Sequence, residues 1–300
     1  MSATAPLAHQ ERQIAPQAAP APPRPGKPRR RRPRRPRWPG VVLVLVALVM
    51  AVPILYVVSL SLRSRDDVLN GGLLPSALFW RNWPDAFRAV DLAHYALNSW
   101  AVAAGSVVLT LVIAVPGAYC TARAGRGGAR LASLVLSSYC APPVVAVLPL
   151  FFLLRTLDLD NTVTGLALVD GLANVPVAIW LLDGFVRRVP REVEEAAWLD
   201  GLGSAATLRR IVLPLIGPGV AAAALICFFL SYNEFLFALS FAQDSGSQTL
   251  PVLLSLFQGD KNVEFGQQAV VSLVGIAPVY LLAVAAQRRL VAGLTTGAVK

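Results

Sequence analysis

Apolar residues in this chain fall in long unbroken runs rather than at a surface-helix or strand period. Residues 38–62 carry no charge over 25 positions, 92–122 over 31, 131–154 over 24, 211–233 over 23 and 265–287 over 23. At about 1.5 Å per helical residue, each run can cross about 30 Å of hydrocarbon. A further stretch, 162–186, is apolar apart from Asp170 and Asp183. The pattern predicts six membrane-spanning helices at approximately 41–62, 96–118, 131–154, 162–186, 215–239 and 268–287. The longest polar-containing connection between them is 64–95.

Composition points the same way. Hydrophobic residues make up 55% of the 300 and charged residues 15%, with a mean hydropathy of +0.58; a soluble domain carries about 25% charged residues. A soluble enzyme, a secreted disulfide scaffold and a disordered chain are poor fits. Net charge is +10, but the basic residues sit between apolar runs and in one tail, not along one face of a domain, which argues against nucleic acid as a partner. Cys120, Cys140 and Cys227 lie in or beside apolar runs, so they form neither a disulfide framework nor a metal set. No cofactor is implied. With two histidines in the chain, no Ser/His/Asp constellation supports an intramembrane enzyme.

Residues 1–40 hold ten Pro and ten Lys or Arg. Such a segment has little to bury and is expected to be a disordered tail held electrostatically to anionic lipid. A signal peptide would have a shorter charged region and a cleavage site; a full-length span follows here instead. An even number of spans puts both termini on one side. That side collects 21 of the 27 Lys and Arg, and the other side six; the positive-inside rule then places both termini in the cytoplasm. No repeat of the two halves is visible, and ionisable groups within spans are sparse, both of which count against a self-contained secondary transporter.

The connection 190–214, between the fourth and fifth spans, is the most informative. Pro190 suits a first helical turn, and Glu192, Glu194 and Glu195 fall at the positive end of the helix dipole. Val193, Ala196 and Ala197 share the i, i+3, i+4 face, and Gly201 is placed to end the helix in a left-handed conformation. Ser204 is expected to cap a second short helix, 204–210. The acidic first turn opposes contact with anionic lipid, so the small apolar face is expected to meet a protein partner.

Glu195-Ala196-Ala197, then Gly201, Ile211 and Leu213-Pro214 at their observed spacing, resemble the "EAA" loop of ABC importer permease subunits. Further matches resemble the carbohydrate-uptake branch, and within it the second maltose-type permease: Asn98-Ser99, Pro149-Leu150, Asn233-Glu234-Phe235-Leu236, Thr249-Leu250-Pro251, Gln287-Arg288-Arg289 and the C-terminal 293–300. The resemblance covers roughly 41–300. The sequence departs from the family pattern at Leu202-Gly203, at Tyr232 and at Asp158, where a glycine is usual.

The resemblance implies an all-α type I importer permease that pairs with a second permease subunit. It also implies a cytoplasmic ABC ATPase dimer that receives the loops and an extracytoplasmic binding protein that delivers a sugar or oligosaccharide. Glu195, Ala196, Ala197, Asp200, Gly201, Ile211, Leu213 and Pro214 would dock the ATPase. The chain has no Gly-x-x-x-x-Gly-Lys-Ser/Thr phosphate loop, so ATP hydrolysis would belong to the separate subunit. Alternatives are a permease for a non-sugar solute and a non-transporting scaffold. Within the spans, Asp170, Asn174, Tyr232, Asn233 and Glu234 are the candidates for the substrate pathway. Asp170 and Asn174 share a face at i, i+4, where they either reach sugar hydroxyls or bond each other. On a continuous fifth helix, Glu234 would lie about 24 Å beyond Pro218; the alternative role for its carboxylate is an inter-helix hydrogen bond. Asp183 and Arg187, at i, i+4, are expected to form an ion pair.

Overall fold

The computed structural model describes residues 38–259 and 264–295. The expected basic tail falls largely before residue 38, outside the described residues. Among the described residues the regular elements are helical. They are α1 (Trp38–Ser61), α2 (Arg65–Leu69), α3 (Asn82–Ala89), α4 (Leu92–Arg123), α5 (Gly125–Ser138), α6 (Pro143–Thr156), α7 (Val163–Val186), α8 (Arg191–Leu199) and α9 (Ser204–Thr207). A π-helical turn (Leu208–Val212) follows, then α10 (Leu213–Leu215), α11 (Gly217–Tyr232), α12 (Leu236–Phe241), α13 (Leu250–Gly259) and α14 (Phe265–Thr295). Two compact units divide the chain within α1, after Leu48. The described part of the first is the opening stretch of that helix, with exposed apolar side chains such as Leu43 and Leu45. The second, Val49–Lys300, holds the remaining helices.

Four single helices, α1, α4, α7 and α14, are long and apolar enough to cross a membrane. Two bent pairs bring the number to six if each pair is one span: α5 with α6, bent by 86°, and Ser204–Leu215 with α11, bent by 82°. The third and fifth stretches therefore differ from the continuous helices expected at 131–154 and 215–239. In the third, Pro142 and Pro143 supply no N–H and push the preceding residue out of helical conformation, so the helix breaks between Ser138 and Pro143. In the fifth, α11 begins at Gly217 and stops at Tyr232, with Asn233 as its C-cap. Glu234 then accepts hydrogen bonds from the Phe237 (2.9 Å) and Ala238 (3.0 Å) N–H groups and caps α12. Glu234 thus sits at a break, not on a continuous helix.

The core lies where α4, α7 and α11 meet. Ala114, Ala118, Ala178, Leu182, Ala223 and Cys227 are buried together. Small side chains let α4 and α7 approach closely: a Cβ on Gly117 would fall 2.9 Å from Ile179 Cδ1, and one on Gly105 3.1 Å from Ala167 Cβ. Between the same helices, Thr110 Oγ1 donates to the Gly171 carbonyl at 2.8 Å and Thr121 Oγ1 to Asp183 Oδ1 at 3.0 Å. A second cluster joins α6, α7 and α12 around Leu166, Phe237 and Phe241. A third joins α4, α11, α13 and α14 around Tyr95, Phe228, Leu250 and Val271.

The connection after α1 folds back on that helix. Asn82 Nδ2 donates to the Ser61 (3.0 Å) and Arg63 (2.8 Å) carbonyls, and the buried Arg63 pairs with Asp67 at 3.1 Å. The Ser76 N–H, with Arg63 beside it, holds the Asp67 carboxyl below the usual carboxylate range.

Candidate functional site

The 190–214 segment begins with Pro190 as N-cap of α8. The face that α8 turns to its own body is acidic as well as apolar. Glu194 (1% exposed) and Ala197 (3%) turn inward, while Val193, Glu195, Ala196, Trp198 and Leu199 are exposed. The reason is a basic partner far away in sequence. Arg123, the last residue of α4, donates from Nε to Glu194 Oε1 at 2.8 Å and adds a second, closer contact from Nη2. Tyr119 Oη donates to Glu194 Oε2 at 2.8 Å. The Arg123 Nη2 atom also reaches the Val186 (3.0 Å) and Val189 (2.9 Å) carbonyls at the end of α7. Both carboxylate oxygens are satisfied, which is the condition under which a buried ion pair is tolerated.

Gly201 has φ +85°, with nothing within 4 Å of where a Cβ would sit. It forms a Schellman cap: the Leu202 N–H donates to the Ala197 carbonyl and the Gly201 N–H to the Trp198 carbonyl, both at 3.0 Å. The second helix differs from the expected 204–210. Gly203, not Ser204, is the N-cap of α9, and the chain continues as the π-turn. Pro214 explains the widening, because it lacks an N–H and its ring collides with the carbonyl four residues back in a regular helix.

Of the eight expected docking residues, Glu195, Ala196, Asp200, Gly201 and Pro214 are exposed. Ala197 is buried, and Ile211 and Leu213 are half-buried, with Leu213 packed against the α4–α7–α11 core. Leu213 helps fasten the segment to its own body. The Asp183–Arg187 ion pair is present at 2.6 Å.

Glu234 caps α12, and the other four span candidates divide into two groups. Asn174 Nδ2 donates to Ser231 Oγ at 2.8 Å, which also receives the Ser106 hydroxyl at 2.6 Å. Asp170, 3% exposed, has an Oδ1 with no hydrogen-bond partner. Tyr232 and Asn233 face elsewhere, onto a cavity of about 270 Å³ lined also by Leu254, Ser272, Gly275 and Ile276. Tyr232 donates to the Gly275 carbonyl at 3.0 Å and stacks on Phe228, while Asn233 donates to the Phe229 carbonyl at 2.8 Å. Trp180 and Tyr139 are exposed; Trp100 packs on Phe228. Among the described residues, no group of three or more His, Cys, Asp or Glu is placed to hold a metal ion.

At the opposite end of α4 the structure joins motifs that are far apart in sequence. Asn98 Nδ2 donates to the Gly246 (3.1 Å) and Gln248 (3.0 Å) carbonyls, and Ser99 Oγ accepts the Leu250 N–H at 2.8 Å. Asn161 Oδ1 accepts from the Gln243 N–H (2.8 Å), the Asp244 N–H (3.3 Å) and the Ser247 hydroxyl (2.5 Å). The 243–250 loop is therefore held by Asn98, Ser99 and Asn161. Sequence reasoning marked Asn98-Ser99 and Thr249-Leu250-Pro251 separately and did not pair them.

Residues 114–295 match the family described as binding-protein-dependent transport system inner membrane component. A putative ABC transporter permease protein of Streptomyces antibioticus is 41% identical over 73% of this chain and 96% of its own length. The trehalose transport system permease protein SugB of Mycobacterium tuberculosis is 34% identical, covering 83% of this chain and 92% of its own. The sulfoquinovosyl glycerol transport system permease protein SmoH of Agrobacterium fabrum is also 34% identical, over 83% and 88%. A solved bacterial ABC transporter that imports the acidic polysaccharide alginate shares the fold, with a TM-score of 0.70 at 23% identity over 84% of this chain and 94% of that one. A helical membrane body carrying the Glu195–Pro214 motif, matched over this length, belongs to the family of binding-protein-dependent transport system inner membrane components, the permease subunits of ABC transporters.

Proposed function

We propose that this chain is the membrane permease subunit of an ATP-driven importer for a sugar or oligosaccharide. Relatives named for trehalose and for a sulfoquinovosyl glycerol, similar over most of both chains, carry this reading. A binding protein delivers the solute outside, and a separate ATPase pair hydrolyses ATP. A second, non-identical permease completes the pore. Both termini are cytoplasmic, on the strength of the 21-to-six distribution of basic residues. The exposed edge of α8 and its cap, Glu195, Ala196, Asp200 and Gly201, meets the ATPase. Tyr232 and Asn233 belong to the pathway, since they line the cavity beside α13 and α14. Asn174 ties α7 to α11 through Ser231, and Glu234 caps α12; Asp170, buried with an unpartnered Oδ1, remains a candidate for a sugar hydroxyl.

The test is ATP-driven uptake of radiolabelled disaccharides into proteoliposomes holding both permeases and the ATPase, with the cognate binding protein supplied outside. Accumulation that requires ATP and binding protein supports the reading. Uptake of a polyamine or phosphate ester in preference to every sugar tried would overturn the substrate class.

A further inference from the structure

The stretch from the end of α1 through α3 is turned inside out. Its buried members include Ser61, Arg63 and Asn82, all polar. Its large exposed members are apolar: Leu69, Leu73, Leu74, Leu78, Phe79 and Trp80, with Leu74 78% and Trp80 61% exposed. A connection surrounded by water shows the reverse. The apolar exterior is built on a fixed frame. Arg63 Nε donates to Asp67 Oδ2 at 3.1 Å, and the Ser76 N–H donates to the same oxygen at 3.2 Å. Asn82 reaches back to the Ser61 and Arg63 carbonyls. With the polar groups bonded to one another inside, the leucines are held outward.

Two further hydrogen bonds set the height of this surface. Ser59 Oγ, in the last turn of α1, donates to the Leu73 carbonyl at 2.8 Å, and the Phe79 N–H donates to the Leu62 carbonyl at 2.8 Å. Ser59 and Leu62 lie on one helix face, separated by a rise of about 4.5 Å. Leu73 and Phe79 are therefore level with the end of a helix apolar enough to cross a membrane and itself exposed at Leu55 and Val58. The backbone between α2 and α3 is irregular, which lipid tolerates at the headgroup boundary but not in the hydrocarbon. Trp80 suits that boundary. Arg81 and Arg88, exposed beside it in sequence, can lay their stems on apolar surface and carry the guanidinium to a phosphate.

We infer that residues 69–80 form a foot seated in the lipid interface of the leaflet where α1 ends. Leu73, Leu74, Leu78 and Trp80 enter the acyl boundary, and Arg81 and Arg88 stand at the phosphates. On the topology proposed above this is the outer leaflet; the lipid contact itself does not rest on that assignment. The same frame touches α14, since a Cβ on Gly266 would fall 2.1 Å from Asn82 Nδ2. The foot thus registers the ends of two membrane helices, α1 and α14, against the bilayer surface.

The experiment places a nitroxide label on single cysteines of the complete transporter, both permeases and the ATPase, in phosphatidylcholine nanodiscs. The background has Cys120, Cys140 and Cys227 replaced. Collision with oxygen, which concentrates in lipid, and with a water-soluble nickel chelate is read at Leu74→Cys and Trp80→Cys. Lipids labelled along the acyl chain calibrate depth, and exposed Asp66→Cys marks water. Oxygen is expected to dominate at both test sites, at a depth of about 5–10 Å, as for the apolar face of an interfacial element.

Preference for nickel at either site, as at Asp66→Cys, would overturn the inference. Exclusion of both reagents would overturn it too, because it marks a protein cover such as the second permease or the binding protein. Should either variant lower assembly, Leu78→Cys is similarly exposed and gives the same reading. The topology is tested apart, by an impermeant thiol reagent that should label Asp66→Cys in intact cells. Labelling only after permeabilisation would overturn the topology and move the foot to the inner leaflet, with the lipid contact still decided by the collision data.

Discussion

The segment around α8 and the loop at 243–250 are both irregular stretches fastened to the same helical body, by opposite means. The α8 segment depends on one concentrated contact, in which Arg123, Glu194 and Tyr119 share charge in a buried setting. The 243–250 loop is held by neutral side chains, Asn98, Ser99 and Asn161, bonded mostly to backbone, with one contact from Asn161 Nδ2 to the Asp244 carboxylate. A buried charge pair is costly to break at one partner, because the other is left uncompensated. Neutral hydrogen bonds are individually modest and fail one at a time. The first design fixes a helix in a single pose; the second holds a loop whose parts can loosen separately.

The largest effect should follow from Glu194→Ala, which leaves the half-buried Arg123 guanidinium against α7 without its carboxylate. Removing one member of such a pair typically costs about 3–5 kcal/mol, and the expected outcome is a release of α8, measured as faster hydrogen exchange over 191–199. Gly201→Val comes next. The space around Gly201 is open, so the penalty is conformational, about 1–2 kcal/mol for a side chain at positive φ. Normal membrane abundance with loss of transport and weak ATPase co-purification is expected. If both stay intact, the cap is not part of the docking surface.

Asn161→Ala removes an acceptor shared by three donors, and at about 1 kcal/mol per neutral bond the 243–247 turn should become the most protease-sensitive point of its face. The comparison breaks down if Asn161→Ala unfolds more of the protein than Glu194→Ala. The smallest effect belongs to deletion of residues 2–27, which leaves the Arg29–Arg37 cluster in place. Sugar uptake near the parent level is expected, and a large fall at equal abundance would give the tail a specific partner.

These sites were unequally legible in the sequence. Uncharged runs located the long apolar helices, because removing charge over some 20 residues has few other physical uses. They did not reveal the break at Pro142-Pro143 or the stop at Asn233, since hydropathy sums side chains and is blind to backbone hydrogen bonding. Gly201 was readable because its reason is local: a Schellman cap needs a left-handed residue. Asp158 is similar, with φ +52° at a place where a glycine would be unstrained. The choice between Glu194 and Glu195 was not readable. It depends on Arg123, 71 positions earlier, which helical periodicity does not reveal. The pairing of Asn98-Ser99 with residues 246–250 is longer-ranged still, 148 to 151 positions.

Whether the outward edge of α8 meets the ATPase is decided by cross-linking. Cysteine placed at exposed Ala196 and, as control, at buried Ala197 would be compared in the assembled transporter, in a background with Cys120, Cys140 and Cys227 replaced. The account predicts a cross-link to the ATPase from Ala196→Cys that changes in yield when ATP is bound, and little from Ala197→Cys. An Ala196→Cys variant that transports but never cross-links to the ATPase, or is labelled by an impermeant reagent from outside the cell, would contradict it.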